Sequence, residues 1–370
     1  MSQGNAQSGS TSQDSARQGS SGRGFAFVFP GQGSQAVGMG ADVAAASPAA
    51  RAIFDAANAA LGFDLARLCF EGPEDELRET INAQPAIVTV SLALLAALRA
   101  ALGAAPPDLT GAPIFPGPPT PDYVAGHSVG EYAALAAAGA LDLGATLRLV
   151  RERGRLMHHE GTVCPGGMAA IIGMDDAALV AVCEEATTRA RTDLGRAADA
   201  PATHPGAGRV IVANYNSPGQ TVLSGERRAL DLAMGLARER GARRVVPLAV
   251  SGAFHSPVMA PAANGLGTAV AAAGLRDAAV PVVANISGRA VADAAALREE
   301  LAGQIAAPVQ WTRTVEYLAE HGVHTFVEIG PGQVLSGLIK RGAKGATTLA
   351  VGTAAEVPAV ADRLRAAMTG

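Results

Sequence analysis

The sequence predicts an α/β protein of two lobes, a larger one built on a mostly parallel sheet and a smaller one inserted into it. Three observations carry this. Short apolar runs alternate with stretches of helical period on both flanks of the chain, the pattern of parallel strands joined by helices. Between 164 and 249 the order becomes βαββαβ, that of a split ferredoxin-like unit. A strand at 123–125 runs into Gly126-His127-Ser128-Val129-Gly130 and then an Ala-rich helix, the strand–turn–helix of a hydrolase-like sheet.

In chain order, residues 1–24 are Ser, Gly, Gln and Arg with almost nothing to bury, so a disordered tail without a signal core is expected. Order begins with the apolar run 25–29, a buried strand stopped by Pro30-Gly31. Helical periodicity follows at 49–61 and 85–102. The most apolar stretch, 86–102, is interrupted by Thr89, Ser91 and Arg99 and reads as a buried helix instead of a membrane span. Proline crowds 103–122 into a surface loop. After the strand at 123–125 come helices from Glu131 and over 144–158. The small lobe should hold strands at 168–174, 209–214, 220–224 and 243–249, helices at 176–191 and 226–240, and a loop at 193–208. The large lobe then resumes with a strand at 280–285, helices at 294–305 and 312–320, and a strand at 325–328. The expected units are thus a tail (1–24), a large lobe (25–163 and 250–370) and an inserted small lobe (164–249).

Bulk composition narrows the function. A chain of 370 residues, 49% of them hydrophobic, can bury a large core. A net charge of −4 gives no reason to expect nucleic acid or an anionic membrane as partner. Cys69, Cys164 and Cys183 have neither metal-ligand nor redox spacing, which suits idle thiols in a reducing, cytoplasmic setting and suggests no metal.

The chemistry centres on Ser128. A sharp turn needs small residues on both sides of it, and Gly126 and Gly130 supply them; the following helix points N–H groups toward a developing oxyanion. A serine also needs a base. His127 lies inside the turn and should point away; His158 and His159 sit near a helix end; His204 falls in a loop; His321 and His324 flank a surface turn. His255 remains, in a loop where the chain returns from the small lobe to the large one. The segment Phe29-Pro30-Gly31-Gln32-Gly33-Ser34-Gln35 lacks the Lys-Ser/Thr of a phosphate loop and suits an oxyanion donor better, through the N–H of Gln32. Arg153 is by composition an ordinary helix-face residue, but its planar fork would fit a substrate carboxylate.

Together these pieces resemble the malonyl-CoA:acyl carrier protein transacylases of fatty acid synthesis and their polyketide synthase relatives. The motifs occur in family order: FVFPGQGSQ at 27–35, GHSVGEY at 126–132, RGRLM at 153–157, GGMAAIIG at 166–173, NSPGQ at 216–220, SGAFHSPVM at 251–259 and EIGPG at 328–332. The resemblance implies Ser128 as nucleophile, His255 as general base and acid, and the N–H groups of Gln32 and Val129 as oxyanion donors. It implies no acidic third member; the main-chain carbonyl of Gln304 would orient the histidine. It assigns Arg153 to the malonyl carboxylate and places Met157, Asn214, Asn216 and Phe254 at the substrate, Phe254 being the variant that looks malonyl-preferring. Val129 stands where Leu is commoner, and the tail and two loops are longer than in the compact family form.

The implied reaction is ping-pong transfer of malonyl from malonyl-CoA, a substrate, to acyl carrier protein, with no cofactor and with a monomer as the default state. A serine thioester hydrolase is the rival that shares the elbow. A fatty acid and a polyketide carrier remain equal alternatives. Lys340, Arg341 and Lys344 are candidates for docking an acidic carrier.

Overall fold

The computed structural model describes residues 24–111, 114–115, 117–193 and 204–369. Positions 1–23 of the expected tail, Pro113 and Pro116 of the proline-rich loop, and most of the 193–208 loop lie outside the described residues.

Strand β1 (Gly24–Phe29) starts at the last residue of the expected tail, one residue before the expected strand. Helices α1 (Ala41–Ala46), α2 (Pro48–Leu61), α3 (Leu65–Glu71) and α4 (Glu74–Arg78) follow. The start of α2 is set by Ser47, whose side chain accepts the N–H of Ala50, and by Pro48 at the first helical position; Gly62, at φ 75°, ends it. Helix α5 (Thr80–Ala101) begins five residues earlier than the periodicity suggested and contains Pro85. Proline cannot donate to the carbonyl of Ile81, and Arg151 fills that vacancy, its Nη1 donating to Ile81 O at 2.8 Å. Strand β2 (Tyr123–Gly126), α6 (Gly130–Ala137) and α7 (Leu143–Val163) complete the first part of the large lobe.

The small lobe comprises β3 (Gly166–Ile172), α8 (Asp176–Asp193), β4 (Val210–Ser217), β5 (Gln220–Glu226), α9 (Arg227–Glu239) and β6 (Arg244–Pro247). Its sheet has the order β4-β5-β3-β6, antiparallel at every pairing. Side chains alternate across it. Ala169, Ile171 and Leu223 pack under α8 and α9, while Met168 and Val222 join the core of the large lobe.

The chain returns through α10 (Ala260–Ala272), β7 (Val282–Val283), β8 (Ala290–Val291), α11 (Ala294–Gln304), α12 (Trp311–Glu320), β9 (Val323–Ile329), α13 (Val334–Gly342), β10 (Thr347–Val351) and α14 (Val357–Thr369). The large sheet has the order β10-β9-β1-β2-β7-β8, parallel except for the β7–β8 pair. The strand expected over 280–285 is cut to two residues. Pro281 has no N–H to give, and the N–H of Asn285 goes to the Glu131 carboxyl instead of a neighbouring strand. Strand β4 is stitched to the large lobe at Val309, where Tyr215 N donates to Val309 O at 2.9 Å and Val309 N to Ala213 O at 2.8 Å.

Candidate active site

The turn after β2 is forced by sterics. Ser128 sits at φ 53°, a left-handed conformation that a non-glycine residue adopts only when its surroundings impose it. A Cβ on Gly126 would lie 2.0 Å from the carbonyl carbon of Gly130, and one on Gly130 would lie 2.2 Å from the carbonyl oxygen of Phe29. Only glycine lets β1, β2 and the start of α6 approach this closely.

His255 lies beyond β6, as the chain re-enters the large lobe, and is also left-handed at φ 56°. Its Nδ1 is 3.0 Å from Gln304 O and 3.1 Å from Ala307 O. Both are carbonyls and can only accept, so Nδ1 carries the ring proton and Nε2 is bare. That Nε2 is 2.6 Å from Ser128 Oγ. Burial, and then the nearby Arg153 charge, hold the imidazole pKa down to about 3. A neutral imidazole so placed can take the serine proton.

Arg153, on α7, is 1% exposed. Its Nη2 donates to Ser128 Oγ at 3.1 Å and to Gln304 Oε1 at 3.0 Å, and its Nη1 to Gln84 Oε1 at 2.7 Å. The guanidinium stands 5.5 Å from the ring centroid of Tyr132, and burial lowers its pKa. The Gln304 side chain continues inward to the buried carboxyl of Glu131. Burial, then the neighbouring Glu300, raise the pKa of Glu131, while burial pushes that of Glu300 up to about 7.

A cavity of about 180 Å³ opens between the lobes onto Ser128 and His255. Gln32, Met157, Asn214, Asn216 and Phe254 all line it. Val129, Arg153 and Gln304 do not; they stand buried behind its wall. Among the described residues, no protein acceptor pairs with the N–H of Gln32 or of Val129. Two side chains, His127 and Arg341, depart from expectation, while His204 lies in its loop as expected but has a partner. His127 faces the cavity and bonds Asn216 Oδ1 at 2.8 Å, linking the turn to β4. His204 is held by Glu160 at 2.7 Å. Arg341 reaches across to the small lobe, donating to Ser217 Oγ at 3.1 Å and Gln220 Oε1 at 2.8 Å, so it is not a free docking charge.

Sequence reasoning missed Gln84, Glu131, Asn285 and Ala307. A polar residue inside an apolar run was the available signal for Gln84 in α5 and for Asn285 after β7. The cysteines offer no rival nucleophile, since burial pushes Cys69 and Cys183 up to about 12 and Cys164 to about 11. Among the described residues no group of His, Cys, Asp and Glu could hold a metal ion.

The sequence profile of the acyl transferase domain matches residues 26–361. The malonyl CoA-acyl carrier protein transacylase of Bacillus subtilis is 41% identical over 88% of this chain and 93% of its own length. That of Escherichia coli strain K12 is 41% identical over 86% of this chain and 92% of its own. Among solved structures, the transacylase from Coxiella burnetii superposes with a TM-score of 0.81 at 36% identity, covering 93% of this chain and 98% of that one. A malonyl-transacylase in complex with a type II polyketide synthase acyl-carrier protein superposes at 0.79, also with 36% identity, covering 92% and 99%.

Proposed function

Because the chain belongs to the acyl transferase domain family, we propose that it moves a malonyl group from malonyl-CoA to the phosphopantetheine thiol of an acyl carrier protein, through an ester on Ser128. The observation that carries this reading is the pairing of Ser128 Oγ with His255 Nε2 at 2.6 Å while Arg153 Nη2 stands 3.1 Å from the same oxygen.

In the first half-reaction His255 Nε2 takes the Ser128 proton as Oγ attacks the thioester carbonyl. The oxyanion forms against the N–H groups of Gln32 and Val129, each worth about 10²–10³ in rate. Collapse breaks the C–S bond, and the histidine returns its proton to the departing coenzyme A thiolate. In the second, His255 takes the proton of the carrier thiol as its sulfur attacks the ester, and returns it to Ser128 Oγ as the C–O bond breaks. The Gln304 and Ala307 carbonyls do for His255 what a carboxylate does in a triad, fixing tautomer and orientation. Arg153 turns its fork to the malonyl carboxylate, and Met157, Asn214, Asn216 and Phe254 shape the cavity around the acyl arm. Nucleophile, base and oxyanion donors are all protein groups, so the transfer asks for no cofactor. Fatty acid and polyketide carriers present the same phosphopantetheine thiol, and the reaction as written is the same for either. A cytoplasmic monomer is the state in which we place the enzyme.

Incubation with malonyl-CoA alone should leave one malonyl group on the peptide holding Ser128, and none on Ser128→Ala, as read by intact mass. Added carrier thiol should discharge the ester faster than water does. An adduct that persists on Ser128→Ala, or one that water clears as fast as the thiol, sinks the proposal.

A further inference from the structure

We propose that Glu131, three residues beyond the nucleophile, is a positioning residue that holds the main chain of Ser128 and the Arg153 fork through one carboxyl group; this rests on the transfer reaction just described. Ser128 is held from both sides by side chains. Its N–H donates to Asn285 Oδ1 at 2.7 Å, and its C=O accepts from Gln304 Nε2 at 3.0 Å. Asn285 is fixed in turn by its Nδ2, which donates to Gly126 O at 2.7 Å. Both clamps lead to Glu131. Its Oε1 accepts the Asn285 N–H at 3.0 Å, and its Oε2 accepts the second amide hydrogen of Gln304.

With the Arg153 guanidinium on one side and the Ser128 carbonyl on the other, the Gln304 amide has one arrangement, nitrogen toward Glu131. A carboxyl that takes one N–H on each oxygen requires the Gln304 amide to present nitrogen to it. The Gln304 oxygen is then left for the Arg153 Nη2 at 3.0 Å. If the Gln304 amide turned over, its NH₂ would face the guanidinium, donor against donor, and its oxygen would face the Ser128 carbonyl. Glu131 therefore sets the orientation of Gln304, Gln304 sets Arg153, and Asn285 with Gln304 keeps Ser128 at its strained φ of 53°. Glu131, Asn285 and the Gln304 side chain stand behind the cavity wall and act through Ser128 and Arg153.

The test is Glu131→Gln, which keeps shape but offers one acceptor where two are needed. Its amide nitrogen must oppose either the Asn285 N–H or the Gln304 NH₂. Displacing the nucleophile or the fork by a fraction of an ångström to about 1 Å costs up to about 10² in rate. We expect malonyl-serine formation, measured by quenched-flow intact mass and normalised to the fraction of enzyme that acylates, to slow about 10²-fold. The preference for malonyl-CoA over acetyl-CoA should fall as well, because Arg153 loses its fixed partner. Asn285→Ala removes one grip on Ser128 without touching Arg153, so it should slow both acyl groups and leave their ratio intact. A merely structural role would lower the melting temperature or the competent fraction but move neither the rate per competent serine nor the ratio. Wild-type values of both in Glu131→Gln overturn the proposal. If Glu131→Gln does not fold, Glu131→Asp, which keeps two acceptor oxygens but draws them back from Asn285 and Gln304, decides by the same two readouts, and wild-type values there overturn the proposal equally. A wild type that forms no adduct at all overturns the transfer reading itself and the positioning role with it.

Discussion

Malonyl differs from acetyl by one carboxylate, and a buried carboxylate left without a partner is costly. Arg153 can meet that charge only because the protein keeps a guanidinium buried with Gln84, Gln304 and Ser128 as partners. Arg153→Ala should lower the kcat/KM ratio of malonyl-CoA over acetyl-CoA by about 10² or more, with acetyl transfer steady or higher. Lysine should rescue poorly for want of a planar fork. An unchanged ratio in steady-state assays would remove Arg153 from substrate selection. His255 makes a separate claim, on stability. Its folded pKa of about 3 lies below the ordinary histidine value of 6.5, so the fold favours the neutral ring. The stabilisation is full above the unfolded pKa and is lost as the pH falls toward the folded one. Between about pH 7 and about pH 5 the melting temperature of wild type should therefore drop further than that of His255→Gln. Parallel curves in differential scanning fluorimetry would contradict this.

The nucleophile turn was legible as an element because its demands are local: a strand, two glycines and a helix in sequence order suffice to specify it. The βαββαβ order of the small lobe was legible for the same reason, each piece carrying its own period. What escaped was settled by distant partners. The early start of α5 depends on Arg151 capping the Ile81 carbonyl, and the short β7 on Glu131 taking the Asn285 N–H. The edge strand β10 and helix α14 have too little pattern of their own to be read without the sheet and helices they pack on. In the site, Ser128, His255 and the cavity residues could be anticipated, whereas the network behind them is made of polar groups whose meaning appears only in the pairings. The tight approach at the turn gives an element-scale test. Gly130→Ala puts a methyl group 2.2 Å from the Phe29 carbonyl oxygen and should destabilise the protein by about 3 kcal/mol. An unchanged urea midpoint would show that the turn can relax.

The two lobes share more than a cleft. Backbone bonds at Val309, the His127–Asn216 pair and the Arg341 bridge all cross between them, and the inner face of the small sheet contributes to the larger core. Scanning calorimetry should accordingly show a single endotherm whose calorimetric and van't Hoff enthalpies agree; two resolved peaks would mean that the lobes melt independently. Helix α5 belongs to this whole-molecule account. It is the one helix among the described residues long and apolar enough to cross a membrane, and 94% of its most apolar window is buried, packed among α2, α6, α7 and α14. Those coverings do not arrive together. On the ribosome α2 emerges before it, α6 and α7 after it, and α14 last of all the described helices. Nascent α5 thus keeps one flank bare until α14 is made, the kind of transiently exposed apolar surface that invites aggregation. Helix α14, the last of the described helices in chain order, closes that flank, so an apolar helix made early gets part of its cover from one made late.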